Sequence, residues 1–198
     1  MEGDIELEFE LQPTLVGRLV TLRPLGTDEF ETLYRVASDP LIWEQHPESD
    51  RYERDVFQRF FDGAVESGGA FAVIDNASGR MIGSSRYCNR KPEKSEVEVG
   101  YTFLERAYWG GTYNAEMKRL MLDHAFRFVE RVVFSVGENN VRSRKAMEKI
   151  GARLEGTSAG VARDGSPRRS VVYVITRESW SRGDSGRSSG AQPESGAE

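Results

Sequence analysis

Two adjacent glycines, Gly110 and Gly111, stand between a strand-like alternation over 96–104 and a helical repeat over 113–128. No other segment constrains the chain as much, because a strand must enter a bare turn and leave it directly as a helix. Without Cβ atoms, such a turn lets backbone N–H groups face outward. A helix start adds about half a positive charge. Together they form a cradle for phosphate, so the segment suggests a ligand carrying a pyrophosphate. The turn lies past mid-chain and lacks the Gly-x-Gly-x-x-Gly spacing of a dinucleotide fold. It also lacks the Lys-Ser/Thr pair of a P-loop. Taken alone, it is also compatible with an ordinary tight loop.

The 198 residues suit one domain with a sizeable core. A net charge of −5 argues against nonspecific nucleic-acid binding. No run approaches the roughly 18 apolar residues of a membrane span, and the acidic start is wrong for a secretory signal. Cys88 is the single cysteine, and His46 and His124 are too far apart to suggest a metal site. The composition therefore reads as a cytoplasmic globular protein without metal.

Residues 1–14 form an acidic arm or edge strand, because Ile5, Leu7, Phe9 and Leu11 alternate with glutamates. This segment would be an added strand, a homodimer contact or a loose arm. The folded domain covers 15–180. Residues 181–198 hold no aliphatic side chain larger than alanine and are expected to be disordered. Within the domain, strands are expected at 18–23, 70–74, 81–89, 96–104, 131–136, 153–158 and 170–176. Helices are expected from Thr27 or Asp28 to Ala37, then over 52–67, 113–128 and 140–150. Asp39-Pro40 ends the first helix and Gly68-Gly69 the second. The order β-α-α-β-β-β-α-β-α-β-β gives an α/β fold: a mixed sheet with helices on both faces, not a repeated βαβ winding.

A second helix start is basic, with Arg142, Arg144 and Lys145 just after Glu138-Asn139-Asn140. Cations in a first turn oppose the helix dipole by about 0.3–1 kcal/mol each. The segment is either a solvated basic face or a second site for a polyphosphorylated ligand. On the strand over 96–104, Glu96, Glu98 and Gly100 share one face. Either carboxylate could take a proton there, with Glu98 preferred, or both are exposed or ion-paired.

Several motifs occur in a fixed order. Val97-Glu98-Val99-Gly100-Tyr101 precedes Arg106, Trp109, Gly110 and Glu116. Asn140, Ser143 and Glu148-Lys149-Ile150-Gly151 follow, and Gly17-Arg18-Leu19-Val20-Thr21-Leu22-Arg23-Pro24 opens the domain. In this order the chain resembles the GNAT acyltransferase superfamily over 15–180, closest to the branch with the ribosomal-protein-alanine N-acetyltransferases. The resemblance implies acetyl-CoA as cosubstrate, lying where two parallel strands, 96–104 and 131–136, splay apart. Backbone amides of Arg106, Trp109, Gly110, Gly111, Thr112 and Tyr113 would hold the pyrophosphate. Tyr101, Phe103 and Leu104 would pair with the pantetheine arm through their backbone. Asn140 and Ser143 would meet the arm, and Arg144 and Lys145 a phosphate. A strand N–H would stabilise the oxyanion. Trp43, Glu44 and His46 would line the acceptor site, although a hydrophobic plug with a surface histidine is the alternative.

Three positions depart from the family pattern. Thr112 replaces a glycine, Met147 stands where relatives carry a proton-donating tyrosine, and Arg169 replaces an aspartate. A thiol of pKa about 8.5 leaves without strong acid help. A modest base suits a terminal α-amine, of pKa about 7.7–8.0, better than a lysine near 10.4. The expected function is acetyl transfer to a primary amine, on a peptide N-terminus or a small molecule. The alternative is a noncatalytic acyl-CoA sensor.

Overall fold

Strands alternating apolar and polar residues pair into one sheet in the computed structural model, which describes residues 8–161, 165 and 167–185. They are β1 (Leu15–Val16), β2 (Val20–Pro24), β3 (Ala70–Asp75), β4 (Met81–Lys91), β5 (Glu96–Leu104), β6 (Arg131–Gly137), β7 (Arg153–Val161) and β8 (Pro167–Thr176). Their spatial order is β1-β2-β3-β4-β5-β6-β8-β7. Every neighbouring pair is antiparallel except β5 and β6.

The helices are α1 (Phe30–Ala37), α2 (Pro40–Trp43), α3 (Arg54–Glu66), α4 (Thr112–Ala125), α5 (Val141–Lys149) and α6 (Arg177–Ser185). Leu33 and Val36 of α1 and Phe57 and Phe61 of α3 bury against Ala70, Ala72 and Phe103 on one face. Met117, Met121 and Leu122 of α4 and Met147 of α5 bury against Val97, Val99, Val132 and Phe134 on the other. Each large side chain taken out of water contributes about 1.5–3 kcal/mol, so helices settle on both faces of the sheet.

The structure departs from the sequence expectations at four places. The described part of the amino-terminal arm is not a strand: Phe9 instead buries against Tyr87, His124 and Phe128. Neither Thr27 nor Asp28 caps α1. The N-cap position is Glu29, whose carboxylate turns to Arg23 and the Gly26 amide. Asp39-Pro40 ends α1 and also starts α2, because Asp39 accepts from the Leu41 amide. Helix α6 runs past Trp180 to Ser185. The rest of the expected disordered tail, 186–198, lies outside the described residues, as do Ile5 and Leu7.

Candidate active site

The parallel pair β5/β6 holds only at Glu96↔Arg131, Val97↔Val132 and Glu98↔Val133, although both strands continue. On its other edge β5 is bulged: between Arg86↔Gly100 and Ser84↔Phe103, Ser85 alone faces Tyr101 and Thr102. A bulge bends its strand, and this one lies just past the last β5/β6 pair, Glu98↔Val133. Tyr101 sits at φ +53°, where a bulky residue is strained by about 1–3 kcal/mol. The Arg86 guanidinium covers its ring at 4.0 Å from the centroid.

A cavity of about 300 Å³ opens from this split, lined among others by Glu98, Gly100, Tyr101, Ser135, His46 and Arg51. Glu98 reaches it from β5 and accepts from Asn89 Nδ2 at 2.7 Å. Glu96 does not line it. Burial opposes its ionisation, but Lys91 at 3.1 Å and Arg131 at 3.2 Å outweigh this and hold its carboxyl below the usual range. Glu96 is thereby tied into the sheet and is not free to exchange protons with an acceptor.

The amide cradle begins where β5 ends. Gly110 and Gly111 have φ of +99° and +150°, and a Cβ on either would meet open space. Gly111 is the N-cap of α4 and supplies no side-chain cap, so the first-turn amides of Thr112 and Tyr113 face outward. Side chains around the turn anchor it from behind. Arg106 pairs with Asp39, Trp109 Nε1 donates to the Leu104 carbonyl at 2.9 Å, and the Tyr113 hydroxyl donates to Asp75 at 3.3 Å. The Leu104 carbonyl is therefore taken. The Phe103 side chain is buried beside Trp43, and its carbonyl lies against Gly83 of β4, on the edge away from β6.

At α5, Asn140 Oδ1 caps the helix by accepting from the Ser143 amide at 3.0 Å, so its Nδ2 is the end that can reach an arm. Arg144 turns inward, donating to the Glu138 carbonyl and the Tyr173 hydroxyl, and Lys145 is exposed. Arg142, the first cation of this basic helix start, lies 3.9 Å over the Trp109 ring and pairs with Glu44 at 2.6 Å. This pairing holds Glu44 at the basic helix start, and Glu44 does not line the cavity. Trp43 is 2% exposed and donates to the Ala37 carbonyl at 2.7 Å, so it is a core plug. Of the three acceptor candidates, His46 lines the cavity.

Two further features had no sequence signal. Arg51, 5% exposed, lies over the rings of Trp43, Phe60 and Tyr101, and Arg168 joins it at the cavity. On the opposite face of the sheet Lys118 is buried and donates to Thr102 Oγ1 at 2.6 Å. Thr102 in turn bonds Ser85 across the bulge at 2.7 Å. Burial lowers the Lys118 ammonium to about 7. Among the described residues, no group of three or more His, Cys, Asp or Glu could hold a metal. No described helix is long and apolar enough to cross a membrane.

A split parallel pair beside an uncapped, glycine-entered helix is the arrangement this site presents. The acetyltransferase (GNAT) domain profile matches residues 19–153, and the chain belongs to that family of acyltransferases. No curated protein matches the sequence. Among solved structures, a GCN5-related N-acetyltransferase from Brucella melitensis superposes with a TM-score of 0.79 at 24% identity. That match covers 96% of this chain and 88% of that one. Mycobacterium smegmatis RimJ, solved in complex with CoA-disulfide, gives 0.67 at 21% identity over 85% and 90%. The ribosomal-protein-S5-alanine acetyltransferase of Vibrio fischeri gives 0.64 at 16% over 85% and 99%.

Proposed function

We propose that the protein transfers an acetyl group from acetyl-CoA to a primary amine by direct attack in a ternary complex. The acceptor would be a peptide N-terminus or a small molecule. The observation that carries the reading is the conjunction of the β5/β6 split, the open Gly110-Gly111 turn and a carboxylate, Glu98, lining the cavity between them. The residues fit the donor: the turn exposes amides at two positions whose φ glycine adopts and branched residues do not, and β5 past Glu98 offers a backbone edge no longer paired to β6. When bound, acetyl-CoA supplies an activated thioester.

The chain's own residues would then divide the work. Amides of 110–113 neutralise the diphosphate with the α4 dipole behind them. The Tyr101 backbone, beyond the last β5/β6 pair, aligns an extended arm. Glu98 takes a proton from the acceptor ammonium, directly or through water, and Asn89 fixes its orientation. Met147 is 4% exposed in the core, so no acid stands at that position of α5.

Two measurements test this. Calorimetric titration with CoA should give binding, weakened at least tenfold in Gly111→Val, whose Cβ occupies the cradle and whose φ is unsuited to a branched residue. Thiol release with an amine panel should show turnover. Glu98→Gln should lower kcat/KM and change its pH profile; an unchanged profile excludes Glu98 as base. CoA binding without release on any amine would favour a sensor.

A further inference from the structure

The acceptor end of the cavity carries an unusual arrangement of donors. Glu48 accepts from Arg51 through Nε at 2.9 Å and Nη2 at 2.6 Å, both on Oε2. Its Oε1 stands 3.8 Å from Arg168 Nη1, within Coulomb range but beyond a hydrogen bond. One carboxylate thus faces two guanidinium groups, leaving an excess positive charge. The third Arg51 nitrogen, Nη1, points at His46 Nε2 at 3.2 Å. The other ring nitrogen, Nδ1, accepts from the Glu48 backbone N–H at 3.0 Å. A backbone N–H has a fixed direction, so the proton of the neutral imidazole belongs on Nε2. Arginine can only donate. Two N–H donors therefore face one another at the cavity wall, one on a side chain that is 5% exposed.

Such a contact is repulsive unless an acceptor oxygen lies against both donors. Burial, with Arg51 and Arg168 adding to it, holds the His46 ring down to about 3, so the ring does not relieve the contact by ionising near neutrality. The remaining charged group of the lining is Glu98, the proposed base. The cavity thus has a cationic side and an anionic side within about 300 Å³, the scale of a small molecule.

We propose that the acceptor is a small zwitterion whose oxyanion is held by Arg51 Nη1, His46 Nε2–H and Arg168 while its amine meets Glu98. The chemical class is an α-amino acid or a close relative, and the inference rests on the acetyltransferase reading above. Guanidinium forks favour planar carboxylates, and phosphate shares the same chemistry.

The test uses the whole chain and matched acceptors: L-alanine, L-glutamate and L-phenylalanine, the primary amide of each, ethylamine and aminoethyl phosphate. With acetyl-CoA, the acids should show at least tenfold higher kcat/KM than their amides. Arg168→Gln should erase that advantage by raising KM for the acids more than for the amides. Aminoethyl phosphate distinguishes a phosphate-selective pocket from a carboxylate-selective one. Amides and ethylamine matching the acids, with Arg168→Gln unchanged, would overturn the proposal and leave the acetyltransferase intact.

Binding gives a readout independent of turnover. In ¹⁵N–¹H spectra, L-alanine should move the His46 Nε2–H resonance and L-alaninamide should not. No movement with any of the acids overturns the proposal, whatever the enzyme does with acetyl-CoA.

Discussion

Lys118 is the residue with the least structural justification. It occupies a core position of α4, 2% exposed, above the Phe134 ring, and no ion pair to it occurs among the described residues. Its one hydrogen bond, to Thr102, is worth about 1 kcal/mol net. Lowering an amine from 10.5 to about 7 costs several times more by linkage. Lys118→Met keeps the volume, removes that cost, and leaves Thr102 and Ser85 bonded to each other. The variant should therefore be more stable at pH 7 by about 2 kcal/mol, a rise in Tm of about 4–8 °C by calorimetry. A fall in Tm would mean that the ammonium has a partner that pairing within the fold does not reveal. A gain in Tm with lost turnover would place Lys118 among residues retained for the reaction rather than for folding.

At the scale of elements, α4 is aimed by a carboxylate. Glu116 accepts from the amides of Arg18, Leu19 and Val20 at 3.1, 2.6 and 2.9 Å, tying the entry to β2 to helix α4. Glu116→Ala leaves those three donors without their acceptor and should cost about 2 kcal/mol, read as a lower denaturant midpoint. Glu116→Gln keeps one acceptor oxygen and should cost less. Nothing local in the chain marks this tether, because the partners lie almost a hundred residues apart. What could be read in advance was local. Period-two and period-3.6 patterns marked β3 to β6 and α3 to α5 within a few residues, and Gly110-Gly111 marked the turn that opens α4. What could not be read depends on tertiary meeting points. Tyr101 carries no sign that it will adopt φ +53°. Two-residue β1 and four-residue α2 are too short to repeat a period. Arg51 and Arg168 look like solvated surface until the loop after α2 and the β7–β8 hairpin bring them to one cavity.

For the whole molecule, three kinds of buried group set the dependence of stability on alkaline pH. Lys118 binds a proton up to 10.5 when unfolded but only to about 7 when folded. Between those values the unfolded state holds the extra proton, so folding stability rises with pH, by about 1.4 kcal/mol per unit. Cys88 acts in the opposite sense: burial, and then the charge of Glu98, push its thiol from 9.0 up to about 12. Above pH 9.0 the unfolded thiol has lost a proton that the folded one keeps, so stability falls with pH at a similar slope. The two slopes cancel up to 10.5. Tyr87, raised well above 10.0 by burial, adds a second loss from that pH onward. The sum is a stability curve that climbs from pH 7, levels near about pH 9, and descends beyond about pH 10. Urea denaturation at half-unit intervals measures it directly. In Lys118→Met the climb between pH 7 and 9 should disappear while the descent remains. In Cys88→Ala the level stretch should become a continued rise up to the point where Tyr87 begins to titrate. A wild-type curve that is flat from pH 7 to 9 would show that Lys118 keeps its ordinary affinity for a proton, and hence that water or an anion reaches it from the split between β5 and β6.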